Sequence, residues 1–188
     1  MTEKQQEFAG RLKAFHPVGW DLIPDLGLYM DQVITFVERQ CRDLFMDGDR
    51  IFTPSMVNNY VKIGLVDRPV AKKYGREQLA QLLMICVLKQ SISSENMKTL
   101  VRPPENSALR EHYESFCRTE QAVFSALGDA QPLMECAVQG AAYQLLCSAL
   151  LFTPKPAKGK PEPAARENQP KPKSKRNSPP EKNNPTPS

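Results

Sequence analysis

The chain has little of what enzymes most often use. Its 188 residues include two histidines, His16 and His112, and one tryptophan, Trp20. Cys117 follows His112 at a spacing that puts the two on different faces of a helix, so they make no nucleophile–base pair. The five cysteines, at positions 41, 86, 117, 136 and 147, are odd in number and contain no C-x-x-C pair. Zinc ribbons and disulfide frameworks both need paired spacing. Reduced thiols, buried on apolar helix faces in a cytoplasmic protein, are expected instead. A Gly-rich phosphate loop, a paired His–carboxylate motif and metal-ligand spacing are also missing, so no enzyme, no cofactor and no metal site is expected. The opening stretch MTEKQQEFAGRLKAF has acidic residues and no apolar h-region, which argues against a secretory leader.

Positive charge is scarce where a fold could form. The formal charge is +4, but from Pro154 onward nine Lys/Arg face three Asp/Glu, which leaves 16 basic and 18 acidic residues in the rest of the chain. Residues 153–188 also hold ten of the seventeen prolines and no aromatic side chain. Such a segment buries too little apolar surface to offset its ordering entropy, so a disordered tail is expected. Its charge would add a weak, salt-sensitive attraction to nucleic acid.

One basic cluster stands outside the tail. Across residues 62–76, Lys62, Arg68, Lys72, Lys73 and Arg76 are opposed by Asp67 alone. They belong to the stretch TPSMVNNYVKIGLVDRPVAKKY, residues 53–74, and its immediate continuation. Thr53 is a good N-cap, Pro54 suits the first helical position, and Gly64 supplies a left-handed residue to end the helix. Met56, Val57, Tyr60 and Val61 fall on one face of that helix; Ser55, Asn58, Asn59 and Lys62 fall on the other. A helix lying in a DNA major groove needs such amide, hydroxyl and ammonium groups, because Asn reads adenine edges and Ser and Lys reach bases or phosphates. After Gly64, Leu65-Val66, the turn Asp67–Ala71 and Lys72–Tyr74 predict a short strand, a turn and a second short strand, which together form a wing tipped with positive charge.

This order of helix, Gly-Leu step, basic wing, tyrosine and further amphipathic helix resembles the winged helix-turn-helix of the MerR (mercury-resistance regulator) family, with NNYVKIGLV standing at the end of the recognition helix. Trp20 and Pro24, LYMDQV at 28–33, NNYVK at 58–62 and KKY at 72–74 are also similar to a bacterial family catalogued only as a domain of unknown function, over roughly residues 15–101. The MerR resemblance implies a mainly α fold with a small β-wing, and double-stranded DNA as the partner. Ser55, Asn58, Asn59 and Lys62 would face bases or phosphates, and Arg68, Lys72, Lys73 and Arg76 would hold the flanking backbone. The helix expected over 28–44 would be the first helix of the motif.

The remaining segments predict helices. Residues 3–16 form a short one. Trp20, Leu22 and Ile23 form an extended anchor. An apolar helix spans 76–90, and a short one spans 94–101 behind the N-cap Ser93, with Ile92 and Met97 as a hydrophobic staple. Residues 106–127 and 133–152 predict a C-terminal helical hairpin. The second of these carries one charge, Glu135, but Gln139, Gln144 and Ser148 argue against a membrane span. Leu133, Ala137, Ala141, Leu145 and Ser148 line one side of it, and Cys136, Tyr143, Cys147, Leu150 and Leu151 another. This helix, with the small Gly140 and Ala141, is expected to make a two-fold homodimer.

The chain thus divides into an N-terminal arm and anchor (1–27), a winged helix-turn-helix-like domain (28–102), the hairpin (103–152) and the tail (153–188). The expected function is a DNA-binding transcriptional regulator. The alternative is a protein-interaction adaptor that keeps the winged fold without binding DNA. The sequence specifies no operator and no small-molecule effector.

Overall fold

The computed structural model describes residues 2–46, 48–49, 51–128 and 132–152. Among them the chain forms seven α-helices: α1 (Glu3–Ala14), α2 (Met30–Cys41), α3 (Pro54–Lys62), α4 (Arg76–Leu88), α5 (Ser94–Val101), α6 (Leu109–Ser125) and α7 (Leu133–Leu150). Residues 1–152 make one compact unit. The expected disordered tail lies outside the described residues.

α4 is the centre of the core. Its sequence REQLAQLLMICVL has no polar face, and a helix of that kind has to be surrounded. Leu79 through Cys86 are all buried. α2, α5 and α6 pack against it. Val33, Val37 and Cys41 come from α2, Val57 and Tyr60 from α3, Met97 and Val101 from α5, and Tyr113 from α6. Ser93 caps α5 through the Asn96 N–H, as the spacing predicts.

Three local expectations are corrected. First, there is no β-sheet among the described residues, and the β-wing is not supported. Leu65 and Val66 are both buried, and both their N–H groups donate to the Tyr60 carbonyl (2.9 and 3.3 Å). They close the end of α3 and have no amide left for a strand. What remains of the wing is a tight turn in which Val70 and Lys73 exchange backbone hydrogen bonds (3.0 and 2.9 Å), with Ala71 and Lys72 at positive φ. The next residue, Tyr74, pairs with Leu28 from the N-terminal segment (2.8 and 2.9 Å), not with another part of the wing.

Second, the anchor is a 3-10 turn at Trp20–Leu22 and not extended chain. Ile23 is its buried residue, Leu22 is exposed, and Trp20 is half-buried with its ring 5.9 Å from that of Tyr113. Third, α7 keeps no residue buried. α6, by contrast, packs on α1 and α4, so the two helices of the expected hairpin do not share one buried face.

Candidate nucleic-acid interface

The helix ends that position α3 form as the sequence implies. Thr53 Oγ1 accepts from the Met56 N–H (3.2 Å), Pro54 takes the first turn, and Gly64 adopts φ +75° beyond the end. Val57 and Tyr60 fix the inner face, with the Tyr60 ring 5.9 Å from Phe52. On the opposite face, Ser55, Asn58 and Asn59 are exposed and Lys62 is exposed as well.

Their surroundings show how the chain uses its other polar groups. Asp67, expected at the wing, is held against the body. Its N–H donates to Gln81 Oε1 (3.0 Å), its carboxylate accepts from Gln81 Nε2 (2.9 Å), and Arg102 donates to the other oxygen (2.8 Å). Arg102 Nε also donates to the Gly64 carbonyl (3.0 Å). Partial burial raises the Asp67 carboxyl, but the hydrogen bonds from Gln81 and Arg102 and the Arg102 charge outweigh it and leave the group below its ordinary range. This clasp ties the step after α3 to α4 and to the end of α5. Gln81 is the interior polar group that makes it possible. At 1 % exposure in an apolar helix it needs partners, and Asp67 satisfies both ends of its amide.

The basic residues divide. Lys72 and Lys73 are exposed on the turn, and the Lys73 ammonium lies 5.2 Å from the centre of the Tyr29 ring. Arg68 is exposed beside them. Arg76 serves the fold instead. Its Nε donates to the Ile23 carbonyl (3.0 Å) and it lies 3.8 Å from Asp25, so it holds the anchor segment to the start of α4. Lys98 of α5 carries no mark in the sequence pattern. Its ammonium lies beside Gly64, where an added Cβ would come within 3.6 Å of it. Nothing local in the sequence joins α5 to the end of α3; only the packing of the chain brings Lys98 there.

The other chemistry-bearing groups sit elsewhere. Cys41 and Cys86 are buried and adjacent, and their mutual hydrogen bond and burial push the Cys41 thiol far up. Lys89 beside them donates to the Ile51 carbonyl and lies over the rings of Phe45 and Phe52 (5.0 and 4.7 Å). Burial lowers its pKa. Glu120 on α6 is 5 % exposed with no hydrogen-bond partner on either oxygen, and burial raises it to about 7. Among the described residues no group of three or more His, Cys, Asp and Glu comes together as a metal site would need, and no helix is long and apolar enough to cross a membrane.

A family model described as Domain of unknown function (DUF1836) matches residues 18–121. That span holds every residue of the exposed polar face and leaves α1 and α7 outside. No curated protein and no solved structure matches the chain.

Proposed function

The chain belongs to the DUF1836 family, and we propose that it binds double-stranded DNA through the outward face of α3, as a transcriptional regulator. One observation carries this reading. The side chains of Ser55, Asn58, Asn59 and Lys62 stand exposed on one helix face, while those of the neighbouring Gln81, Arg76 and Arg102 are all engaged within the fold. An α-helix fits the major groove, where Asn can make a two-point contact with adenine. Arg68, Lys72 and Lys73 on the adjacent turn, and Lys98 beside Gly64, would meet phosphates. The fold holds the turn by the Leu28–Tyr74 pair and the Asp67 clasp, so the basic groups keep a fixed register relative to α3.

The test is selection of bound fragments from a genomic duplex library by the full chain. A shared sequence motif should emerge. Asn58→Ala or Asn59→Ala should then weaken the selected site by about 1–3 kcal/mol while leaving random duplex nearly unchanged. Absence of any enriched motif would move weight to the second reading, an adaptor without DNA binding. The excess of acidic over basic residues before the tail favours that alternative.

A further inference from the structure

α7 presents an apolar surface that no described residue of its own chain buries. Leu133, Tyr143 and Leu150 are 87, 69 and 77 % exposed, and Glu135 is the only charged residue of its 18. Water-facing apolar surface on this scale marks an interaction site.

The occupant is written in the spacing. Leu133, Cys136, Gly140, Tyr143, Cys147 and Leu150 alternate intervals of three and four, the seam of a two-helix coiled coil. The seam also matches itself in reverse. In an antiparallel pair centred between Ala141 and Ala142, Leu133 lies level with Leu150 of the second copy, Cys136 with Cys147, and Gly140 with Tyr143. Large meets small at the middle layer, as interdigitated packing requires. A parallel pair would set glycine on glycine and tyrosine on tyrosine. It would also place Glu135 against Glu135, whereas the antiparallel pair separates these charges by about 20 Å at 1.5 Å per residue.

Gly140 supplies an independent observation. A glycine in mid-helix weakens the helix, so its presence needs a reason. Among the described residues there is none, because a Cβ at Gly140 would meet nothing within 4 Å. A tyrosine from a second copy gives one.

We propose that α7 is the self-association element: two copies pair antiparallel along the Leu133–Leu150 seam, with the two-fold axis between Ala141 and Ala142. The pairing is independent of the DNA reading, and it would give that reading two α3 faces related by symmetry.

The register is tested on the full chain with a short bis-maleimide cross-linker and the variants Cys136→Ser and Cys147→Ser. The unmodified chain should cross-link as a dimer. Each variant alone should not, since each keeps only one thiol of the pair. An exchanged mixture of the two variants should cross-link again. Variants that cross-link alone as well as the unmodified chain does would show a parallel pair and overturn the proposal. So would failure of both the unmodified chain and the mixture to cross-link, or a monomer by light scattering at tens of micromolar. Gly140→Leu should weaken the dimer by about tenfold or more through overpacking against Tyr143, without changing the near-ultraviolet spectrum of the core. An unchanged dimer affinity would contradict the proposed packing.

Discussion

α4 and α7 are two helices of similar composition and opposite fate. Both are apolar on nearly every side, with QLLMICVL in one and QLLCSAL in the other. α4 is enclosed by α2, α5 and α6, and eight of its thirteen residues are buried. α7 has none buried. A helix without a polar face states that it must be covered, but not by what. For α4 the cover comes from its own chain; for α7 the proposed cover comes from a second copy. The family match includes α4 and stops before α7.

The comparison breaks most visibly at leucines. Leu82 is fully buried in α4 and Leu145 is 73 % exposed in α7. Leu82→Ala should destabilise the chain by about 2–5 kcal/mol, because apolar burial disappears and a cavity is left behind. Leu145→Ala should change unfolding of the dilute monomer by less than about 0.5 kcal/mol. Urea denaturation at sub-micromolar protein measures both. Equal losses would mean α7 packs on the core after all.

The next test uses glycine in both regions. Gly27 lies where the N-terminal segment crosses the turn leading into α4, and a Cβ there would come 2.8 Å from the Cβ of Lys73. Gly27→Ala should therefore force the Leu28–Tyr74 pairing apart and cost about 1–3 kcal/mol. In the dilute monomer the same change at Gly140 meets open space and should raise helix content, worth up to about 1 kcal/mol for an interior helix position. Circular dichroism and thermal unfolding of the two variants should move in opposite directions.

How much of this is legible in the sequence differs by region. α3 can be read completely: Thr53, Pro54 and Gly64 set its ends, and the spacing of Met56, Val57, Tyr60 and Val61 sets its inner face. Those signals are local, acting within a turn or two of helix. The wing misleads because Leu65 and Val66 look like a strand by composition. Their amides are taken by the Tyr60 carbonyl, and the partner of Tyr74 is Leu28, far away in sequence. Arg76 counts among the basic contacts by sequence for the same reason; its partner, the Ile23 carbonyl, exists only once the fold has formed. Gln81 carries a usable signal, a lone amide inside an apolar helix, though not the identity of Asp67 as its answer. Of α7, the composition is legible and its lack of any buried residue is not.

A smaller effect separates the satisfied polar group of α4 from the unsatisfied one of α6. Gln81 has both ends bonded, while Glu120 has neither oxygen bonded and is raised to about 7. The fold favours its protonated form. That contribution is complete below the ordinary carboxylate value of 4.5 and is lost as pH rises through about 7. The midpoint of thermal unfolding should therefore decline between about pH 5 and 8 in the unmodified chain, and decline less in Glu120→Gln. Identical slopes would show that Glu120 gains solvent or a partner in solution.

The proposed function requires that the exposed polar and basic face of α3 and its turn contact duplex DNA. Salt dependence of binding tests it most directly, because each phosphate that is no longer neutralised takes about 0.9 from the slope of log affinity against log salt. Full-length chain and its Lys72→Ala/Lys73→Ala variant should be titrated against the same duplex across a salt series. The variant should bind every duplex more weakly, with a slope shallower by up to about two. An unchanged slope and affinity would contradict it, since whatever DNA binding remained would then arise outside this face.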